Sequence, residues 1–454
     1  MQLIKSIKVI SRITSPLLSP TSLSSLSPLS SLSSLSLDKI LNIIPSTLFL
    51  SYLISNVIQK IKLKSIYHRP LSIPIINIIL ILIILFIEIK TINEFTTITN
   101  GNNININSKN IHYLNIRNNN DNNNATSTSL SFYHGFGSNS LSFKPIIDSL
   151  ISRSTNNYDT RFWITAHDTP GFGFGERDNM KLQSVYYRPL WNARVGDTIM
   201  NKVCSSSNKK VIFGHSMGCI PALISGIIAK NNNQNVTIVL ECPALKYTTI
   251  SDDINEFNIM KSITDKLNNL NPLKTKKSSI DIAYSLFMKT ILFPIRLLIK
   301  ALLRSRYFWK QGLAVAYTTK INDIKNEIFD GYRLAAYANE FDVDLLNFVN
   351  AQKQGIDDST IGSPFPSSMV LPGISHMDLI LALCKLHTKV IIVHGSDDKV
   401  VPIQNSIDIV TSIKQKLNDK DKHYIELRTI NRNGHVPHEE NANQVIEILN
   451  DVIF

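Results

Sequence analysis

A serine, an aspartate and a histidine occur along the chain in an order that suits acyl transfer. Ser216 is the centre of residues 214–218, Gly-His-Ser-Met-Gly, which join an apolar run to a stretch that could form a helix. A G-x-S-x-G segment in this setting is typical of a sharp turn that exposes the serine hydroxyl above a sheet. Such a short pattern also arises by chance, so its meaning depends on whether an acid and then a histidine follow, each just after a strand.

Two aspartates follow the next candidate strand. Residues 390–393, Val-Ile-Ile-Val, are typical of a buried parallel strand, and Asp397 and Asp398 come shortly after them. A carboxylate at the end of a strand can reach the edge of the sheet and orient a histidine there. One of the two aspartates could instead be a turn residue that accepts hydrogen bonds from nearby main-chain N–H groups.

A histidine follows the last alternating run of the chain. Residues 424–430 alternate as a strand does, and His435 lies on the segment behind them. An imidazole can accept the serine proton near neutral pH when a carboxylate fixes its tautomer. His438 competes for this role, although its place at a helix entrance favours a capping or supporting role. The order serine, acid, histidine is therefore complete.

A fourth candidate part lies upstream of the serine. The strand-like residues 130–133 lead into His134, Gly135 and Phe136, a turn in which the glycine leaves room for a substrate carbonyl. The main-chain N–H groups of Phe136 and Met217 are the two expected oxyanion donors. Each such donor typically stabilises a transition state by about 3 kcal/mol. We expect His134 to brace the loop rather than to carry a proton.

Together these motifs resemble the α/β-hydrolase superfamily, in particular its cap-bearing serine esterases and lipases. The resemblance extends over residues 92–454 and includes residues 166–173, Ala-His-Asp-Thr-Pro-Gly-Phe-Gly. It implies a mostly parallel eight-stranded sheet flanked by helices, with a helical cap inserted between strands. It also favours Asp398 over Asp397 as the triad acid, through the spacing Gly-x-x-Asp-x-x-Val-Pro, and implies that Asp168 braces a loop.

The chain divides into five predicted segments. Residues 13–37 are a low-complexity serine, leucine and proline tract within a disordered tail or targeting segment, 1–39. A hydrophobic membrane-anchor region, 40–91, comes next. The hydrolase core is predicted in two parts, 92–245 and 387–454, separated by the helical cap, 246–386.

Leu71 to Ile87 contains no charged residue and is just long enough to span a membrane. Residues 40–59 are also uncharged but more polar, so they could span or lie at the interface. Lysines and an arginine between the two stretches predict a cytosolic linker, because loops rich in lysine and arginine remain on the cytosolic side of a membrane. The catalytic domain would then face the lumen of the endoplasmic reticulum or another endomembrane. Lys5, Lys8 and Arg12 alternatively resemble a mitochondrial transit peptide.

The composition indicates which kinds of partner and cofactor the protein could bind. The net charge is +12, yet no basic and aromatic motif for nucleic acid is present, so proximity to a membrane explains the charge better. The four cysteines show no metal-ligand spacing. We expect no metal and no organic cofactor, and the oligomeric state is left open.

Four cations recur on one face of a predicted cap helix: Lys289, Arg296, Lys300 and Arg304. The simpler interpretation is a solvated basic face over a buried apolar one. The alternative is a helix whose cations bind anionic headgroups while acyl chains enter through the cap.

These patterns favour a membrane-anchored serine hydrolase that cleaves an ester, in particular a lipid or another apolar acyl ester. A hydrolase of C–C bonds or a thioesterase could use the same triad. A non-catalytic binding protein on the same fold is the third hypothesis, although such proteins usually lack one of the triad residues.

Overall fold

The computed structural model describes residues 102–454 except for 107–108, 118–125, 157–159, 176–184, 205–206, 208, 246, 249, 251–254, 270–292, 339–340, 354–368 and 372. The predicted tail, 1–39, and the predicted anchor region, 40–91, lie outside the described residues. Within the described part, no helix combines the length and the apolar character needed to cross a bilayer.

The described residues form ten strands: β1 Asn102–Ile106, β2 Lys109–Arg117, β3 Thr126–Tyr133, β4 Thr160–His167, β5 Lys209–His215, β6 Val236–Glu241, β7 Met369–Leu371, β8 Ile374–Ser375, β9 Lys389–Gly395 and β10 Ile425–Ile430. Eight of them make one sheet in the order β1-β2-β4-β3-β5-β6-β9-β10. The pairs from β4 through β10 are parallel, and β1 and β2 pair antiparallel at one edge. The expected mostly parallel, eight-stranded sheet is thereby confirmed.

Thirteen α-helices lie in the described part: α1 Lys144–Asn156, α2 Pro189–Val203, α3 Cys219–Asn231, α4 Glu256–Asn269, α5 Phe293–Arg304, α6 Arg306–Ala316, α7 Asn326–Leu334, α8 Phe341–Lys353, α9 His376–Lys385, α10 Ile403–Lys416, α11 Pro437–Glu440, α12 Ala442–Ile448 and α13 Asn450–Ile453. Helices cover both faces of the sheet. On β5, Ile212 packs among residues of α3, whereas Val211 and Phe213 pack among residues of α1. A strand buried on both faces needs apolar residues at consecutive positions, which explains its continuous apolar run.

The predicted cap, 246–386, divides between two cores. Helices α5 to α8 build a core of their own, in which Trp309, Leu313 and Phe329 are central, and Val436 of the histidine loop joins it. Helices α4 and α9 instead contribute Ile259 and Leu379 to the core around α3. Helices α4 and α9 therefore pack with the layer of helices that covers the sheet.

The basic face of α5 is directed inward, which differs from both expectations for this helix. Arg296 is buried and forms an ion pair with the fully buried Asp342, and Lys300 Nζ lies 3.3 Å from the same carboxylate. Arg304 donates to a main-chain carbonyl at 3.1 Å. Leu298 and Leu302 of the opposite face are exposed, and so is Leu297. Lys289 lies outside the described residues. A buried carboxylate requires a cationic partner, so Asp342 of α8 decides which face of α5 is covered.

Candidate active site

The nucleophile turn follows β5 directly. Ser216 has a φ of +53°, a strained conformation for a residue with a side chain, and α3 begins three residues later. Gly218 allows the turn to touch the neighbouring strand, because a Cβ atom there would lie 2.2 Å from the main-chain oxygen of Tyr133. A Cβ on Gly214 would likewise meet α3 at 2.7 Å. The two glycines therefore let strand and helix approach closely around the serine.

The structure brings Ser216, His435 and Asp398 together. His435 Nε2 lies 2.9 Å from Ser216 Oγ, and His435 Nδ1 lies 2.7 Å from Asp398 Oδ2. All three residues are buried. The two nitrogens of one imidazole thus join a hydroxyl to a carboxylate, which is the arrangement that activates a serine for attack on a carbonyl.

Asp398 is held as a carboxylate by several donors. Its Oδ1 accepts the main-chain N–H groups of Val400 and Val401 at 2.8 and 2.9 Å, and His394 Nε2 lies 3.2 Å from Oδ2. Burial alone raises the pKa of Asp398, but hydrogen bonds from His394 and His435 outweigh it and hold the pKa well below its ordinary range. Asp397, the alternative acid, is exposed and its carboxylate accepts from Ser396.

His438 lies apart from Ser216 and pairs with an acid that the sequence analysis did not single out. Its Nδ1 forms a hydrogen bond with Glu241 at the end of β6, and both side chains are fully buried. Burial lowers the pKa of His438, but the Glu241 carboxylate outweighs burial and raises it. The imidazole ring of His215 contacts the rings of both histidines, with centroid distances of 4.6 Å to His438 and 5.1 Å to His435. Its Nε2 donates a hydrogen bond to the main-chain oxygen of His435. The sequence did contain a signal for Glu241, because a charged residue at the end of an otherwise apolar strand indicates a buried polar site.

The predicted oxyanion loop packs against Ser216. A Cβ atom on Gly135 would lie 3.0 Å from His215 Nδ1 and 3.1 Å from Ser216 Cβ, so a larger residue would press against both side chains. His134 lies within the loop, where Nε2 accepts from the main-chain N–H of Thr169 and Nδ1 lies 2.8 Å from the Gly135 oxygen. Burial lowers the pKa of His134, which favours the neutral form. These bonds place His134 as a brace between two loops.

Asp168 joins three segments. Its carboxylate lies 2.8 Å from His112 Nδ1 and accepts the main-chain N–H groups of Ser140 and Phe174, each at 2.7 Å. Burial raises the pKa of Asp168. The hydrogen bond and the electrostatic attraction between Asp168 and His112 outweigh burial and lower the pKa to about 2. The carboxylate has no bond to His435, and its contacts are those of a loop brace.

Aromatic side chains form a cluster against Met217, the residue after the serine. Phe136 stacks edge-on against Phe172 at 5.4 Å, and Phe172 meets Phe348 of cap helix α8 at 4.7 Å. Tyr187 belongs to the same cluster, and Met217, the residue after the nucleophile, packs against it. The wall next to the predicted oxyanion donors is therefore apolar.

Two buried sets of side chains include residue types that ligate metals. Ligand atoms of His215, Glu241 and His438 lie within 4.8 Å of one another, as do those of Cys242, Asp398 and His435. In each set a histidine already forms a hydrogen bond with the carboxylate. Hydrogen bonding accounts for both arrangements, and the expectation that no metal is required stays a prediction.

Glu440 connects the loop of His435 to the cap through hydrogen bonds. Its Oε2 accepts the N–H of Gly434 at 2.9 Å, and its Oε1 accepts the N–H groups of Thr318 and Thr319, each at 2.7 Å. Both threonine hydroxyls also donate to Oε1. Burial alone raises the pKa of Glu440, but these donors outweigh it and place the pKa below 4.5. The sequence analysis missed Glu440, since nothing in its local pattern distinguishes it from a surface glutamate.

Replacing Glu440 with glutamine is expected to lower the free energy of unfolding by about 1–2 kcal/mol at neutral pH, because a partly solvated carboxylate acceptor is lost. A depressed carboxyl pKa stabilises the folded state fully above the ordinary value of 4.5, and this stability is lost as pH falls through the folded-state pKa. Urea unfolding at a series of pH values should therefore show the two proteins converging in acid. Glu447→Gln, at an exposed position, is the control, and a difference that does not vary with pH would contradict the prediction.

The chain matches a family model described as "Alpha/beta hydrolase family" over residues 132–448. No curated protein sequence matches the chain. Three similar solved structures are a 2-hydroxy-6-oxo-6-phenylhexa-2,4-dienoate hydrolase from Rhodococcus sp. strain RHA1 (16% identity, 77% of this chain and 98% of that chain, TM-score 0.46), a membrane phospholipase A described as a bacterial virulence factor (14%, 84% and 99%, 0.47) and an esterase from Exiguobacterium antarcticum (13%, 78% and 99%, 0.45).

The family match covers more than half of the chain and includes the nucleophile turn, the strand before Asp398 and the loop of His435. The sheet order and the helices on both faces agree with it. The chain therefore belongs to the alpha/beta hydrolase family and is a hydrolase.

Proposed function

We propose that this protein is a serine hydrolase that cleaves a carboxylic ester through an acyl-enzyme. The observation that carries the proposal is the position of His435, whose Nε2 lies 2.9 Å from Ser216 Oγ while its Nδ1 lies 2.7 Å from Asp398 Oδ2. A general base within hydrogen-bond reach of a hydroxyl, itself oriented by a carboxylate, is the requirement for nucleophilic catalysis by serine.

The reaction follows from these positions. Ser216 Oγ attacks the ester carbonyl as His435 Nε2 takes the hydroxyl proton, and Asp398 stabilises the imidazolium that forms. The N–H groups of Phe136 and Met217 bind the oxyanion. His435 then protonates the departing alcohol, and water, activated by the same imidazole, hydrolyses the acyl-enzyme.

The apolar wall supports an apolar substrate. Phe136, Phe172 and Phe348 would contact the group attached to the ester carbonyl or to the ester oxygen. Burial of apolar substrate surface against these rings is favourable by about 25 cal/mol per Å². A lipid or another apolar acyl ester is therefore the proposed substrate class.

A fluorophosphonate probe tests the proposal. We expect covalent labelling of the wild-type protein, loss of labelling in Ser216→Ala, and full labelling of the control Ser412→Ala on α10, since the probe reacts with an activated serine only. A protein that resists the probe, or labelling that persists in Ser216→Ala, would refute the proposed nucleophile. Turnover of matched esters, thioesters and C–C substrates then distinguishes an esterase from the two other hydrolases that share the triad.

The proposed site of action is an endomembrane, with the catalytic domain in the lumen. The support is the uncharged segment from Leu71 to Ile87 and the cations before it. Protease added to intact microsomes is expected to leave residues 102–454 undigested until detergent opens the membrane. Digestion of that domain without detergent would contradict the luminal orientation, and recovery with mitochondria would favour the organellar alternative.

A further inference from the structure

Helices α5 and α6 expose several large apolar side chains. Of the eleven large hydrophobic residues that are exposed in the described part of the chain, six lie between positions 297 and 315. We name them the apolar cap face: Leu297, Leu298, Leu302, Tyr307, Phe308 and Val315. Single exposed apolar residues are common, but the concentration of more than half of them on two consecutive helices indicates an interaction surface.

The chemistry around the apolar cap face favours one occupant. Residues 282–322 contain no acid and seven cations: Lys289, Arg296, Lys300, Arg304, Arg306, Lys310 and Lys320. Arg296 and Lys300 pair with Asp342 and Arg306 pairs with Asp330, whereas Lys320 is exposed. Within the described residues, Asp342 and Asp330 pair with only three of the seven cations, so this region keeps a net positive charge beside the apolar cap face, and that charge complements an anionic lipid surface. A second copy of the chain would bring like charges together.

The inner side of α6 lies on the catalytic loops. The main-chain oxygen of Ala316 accepts the N–H of His435 at 2.6 Å. The ring of Trp309 lies 3.6 Å from where a Cβ atom on Gly137, in the oxyanion loop, would be. Trp309 and Ala316 are buried, whereas Tyr307 and Val315 of the same helix are exposed. The apolar cap face is thus the outer surface of a helix whose inner surface covers the site.

We propose that the apolar cap face binds the surface of a bilayer that contains anionic lipid, so that the cap rests on the membrane and the site receives its substrate from the lipid phase. The binding step stands on the exposed side chains and the charge pattern alone. The delivery of substrate rests on the proposed function.

The first experiment places an environment-sensitive fluorophore at position 298 by Leu298→Cys in the full chain, reconstituted in vesicles. The native cysteines are all buried, so labelling is selective. We expect a blue shift in phosphatidylcholine vesicles that increases with added phosphatidylserine, and quenching by spin-labelled lipid several times stronger than for a probe introduced by Asp408→Cys on α10. A probe that stays aqueous overturns the proposal. A blue shift without lipid quenching also overturns it, because a protein would then cover the face.

The second experiment separates docking from catalysis. The variant Leu298→Asp with Leu302→Asp is expected to lose hydrolysis of a lipid ester in vesicles several-fold and to keep hydrolysis of a water-soluble ester. The matched control is Ile407→Asp, an exposed apolar residue on α10, which should change neither rate. An equal loss on both esters would contradict docking. A wild-type protein inactive on both esters would refute the proposed function, while the fluorescence result would still decide the docking.

Discussion

Replacing Ser216 with alanine is expected to lower kcat for a water-soluble ester by about 10⁶-fold, because no other group can form the acyl-enzyme. His435→Ala should cost a similar factor, since the hydroxyl 2.9 Å from its Nε2 would lose the base that removes its proton. The double variant should be no slower than either single one, because the two residues act in one step. Steady-state and single-turnover rates measure all three.

A large residual rate in Ser216→Ala would contradict this mechanism. So would losses in the two single variants that multiply in the double variant, since independent contributions multiply and shared ones do not. His438→Ala is the comparison for His435, because His438 pairs with Glu241 instead of the serine. We expect its effect on kcat to be much smaller than that of His435→Ala.

Asp398→Asn is expected to lower kcat by about 10⁴-fold while the fold is kept. The N–H groups of Val400 and Val401 both point at Oδ1, so the asparagine carbonyl will take that position and its NH₂ group will face His435. A donor opposite Nδ1 forces the proton onto Nε2, where it blocks acceptance of the serine proton. The loss therefore comes from the wrong tautomer.

The neighbouring aspartate provides the matched control. Asp397→Asn changes an exposed carboxylate one position away and should leave kcat within about twofold, as surface substitutions usually have small effects. Thermal unfolding of both variants shows whether a loss of kcat arises from a loss of stability. A larger loss of kcat in Asp397→Asn than in Asp398→Asn would contradict the assignment, because Asp397 would then be the acid that orients His435.

Local sequence determined the fold class and the candidate residues. The apolar run before Ser216, the β-branched run before the two aspartates and the alternating run before His435 each predicted a strand, and the structure has these strands at 209–215, 389–395 and 425–430. Periodicity and turn residues act over a few positions, so they are visible in the chain itself. The order of the motifs then indicated the family that the comparison confirms. The catalytic roles of the individual residues stay predictions.

Tertiary structure decided the contacts between distant segments. Periodicity showed that α5 has a basic and an apolar face, but only Asp342, 46 positions from Arg296, determines that the basic face is buried. Glu440 reaches Thr318 across 122 positions, and His438 reaches Glu241 across 197. Hydrogen bonds and ion pairs of this kind depend on where the folded chain places two groups that are far apart in the sequence. The sequence by itself therefore determined the elements and the residue types available for chemistry, whereas packing among the cap helices decided which side chains of α5 are left exposed.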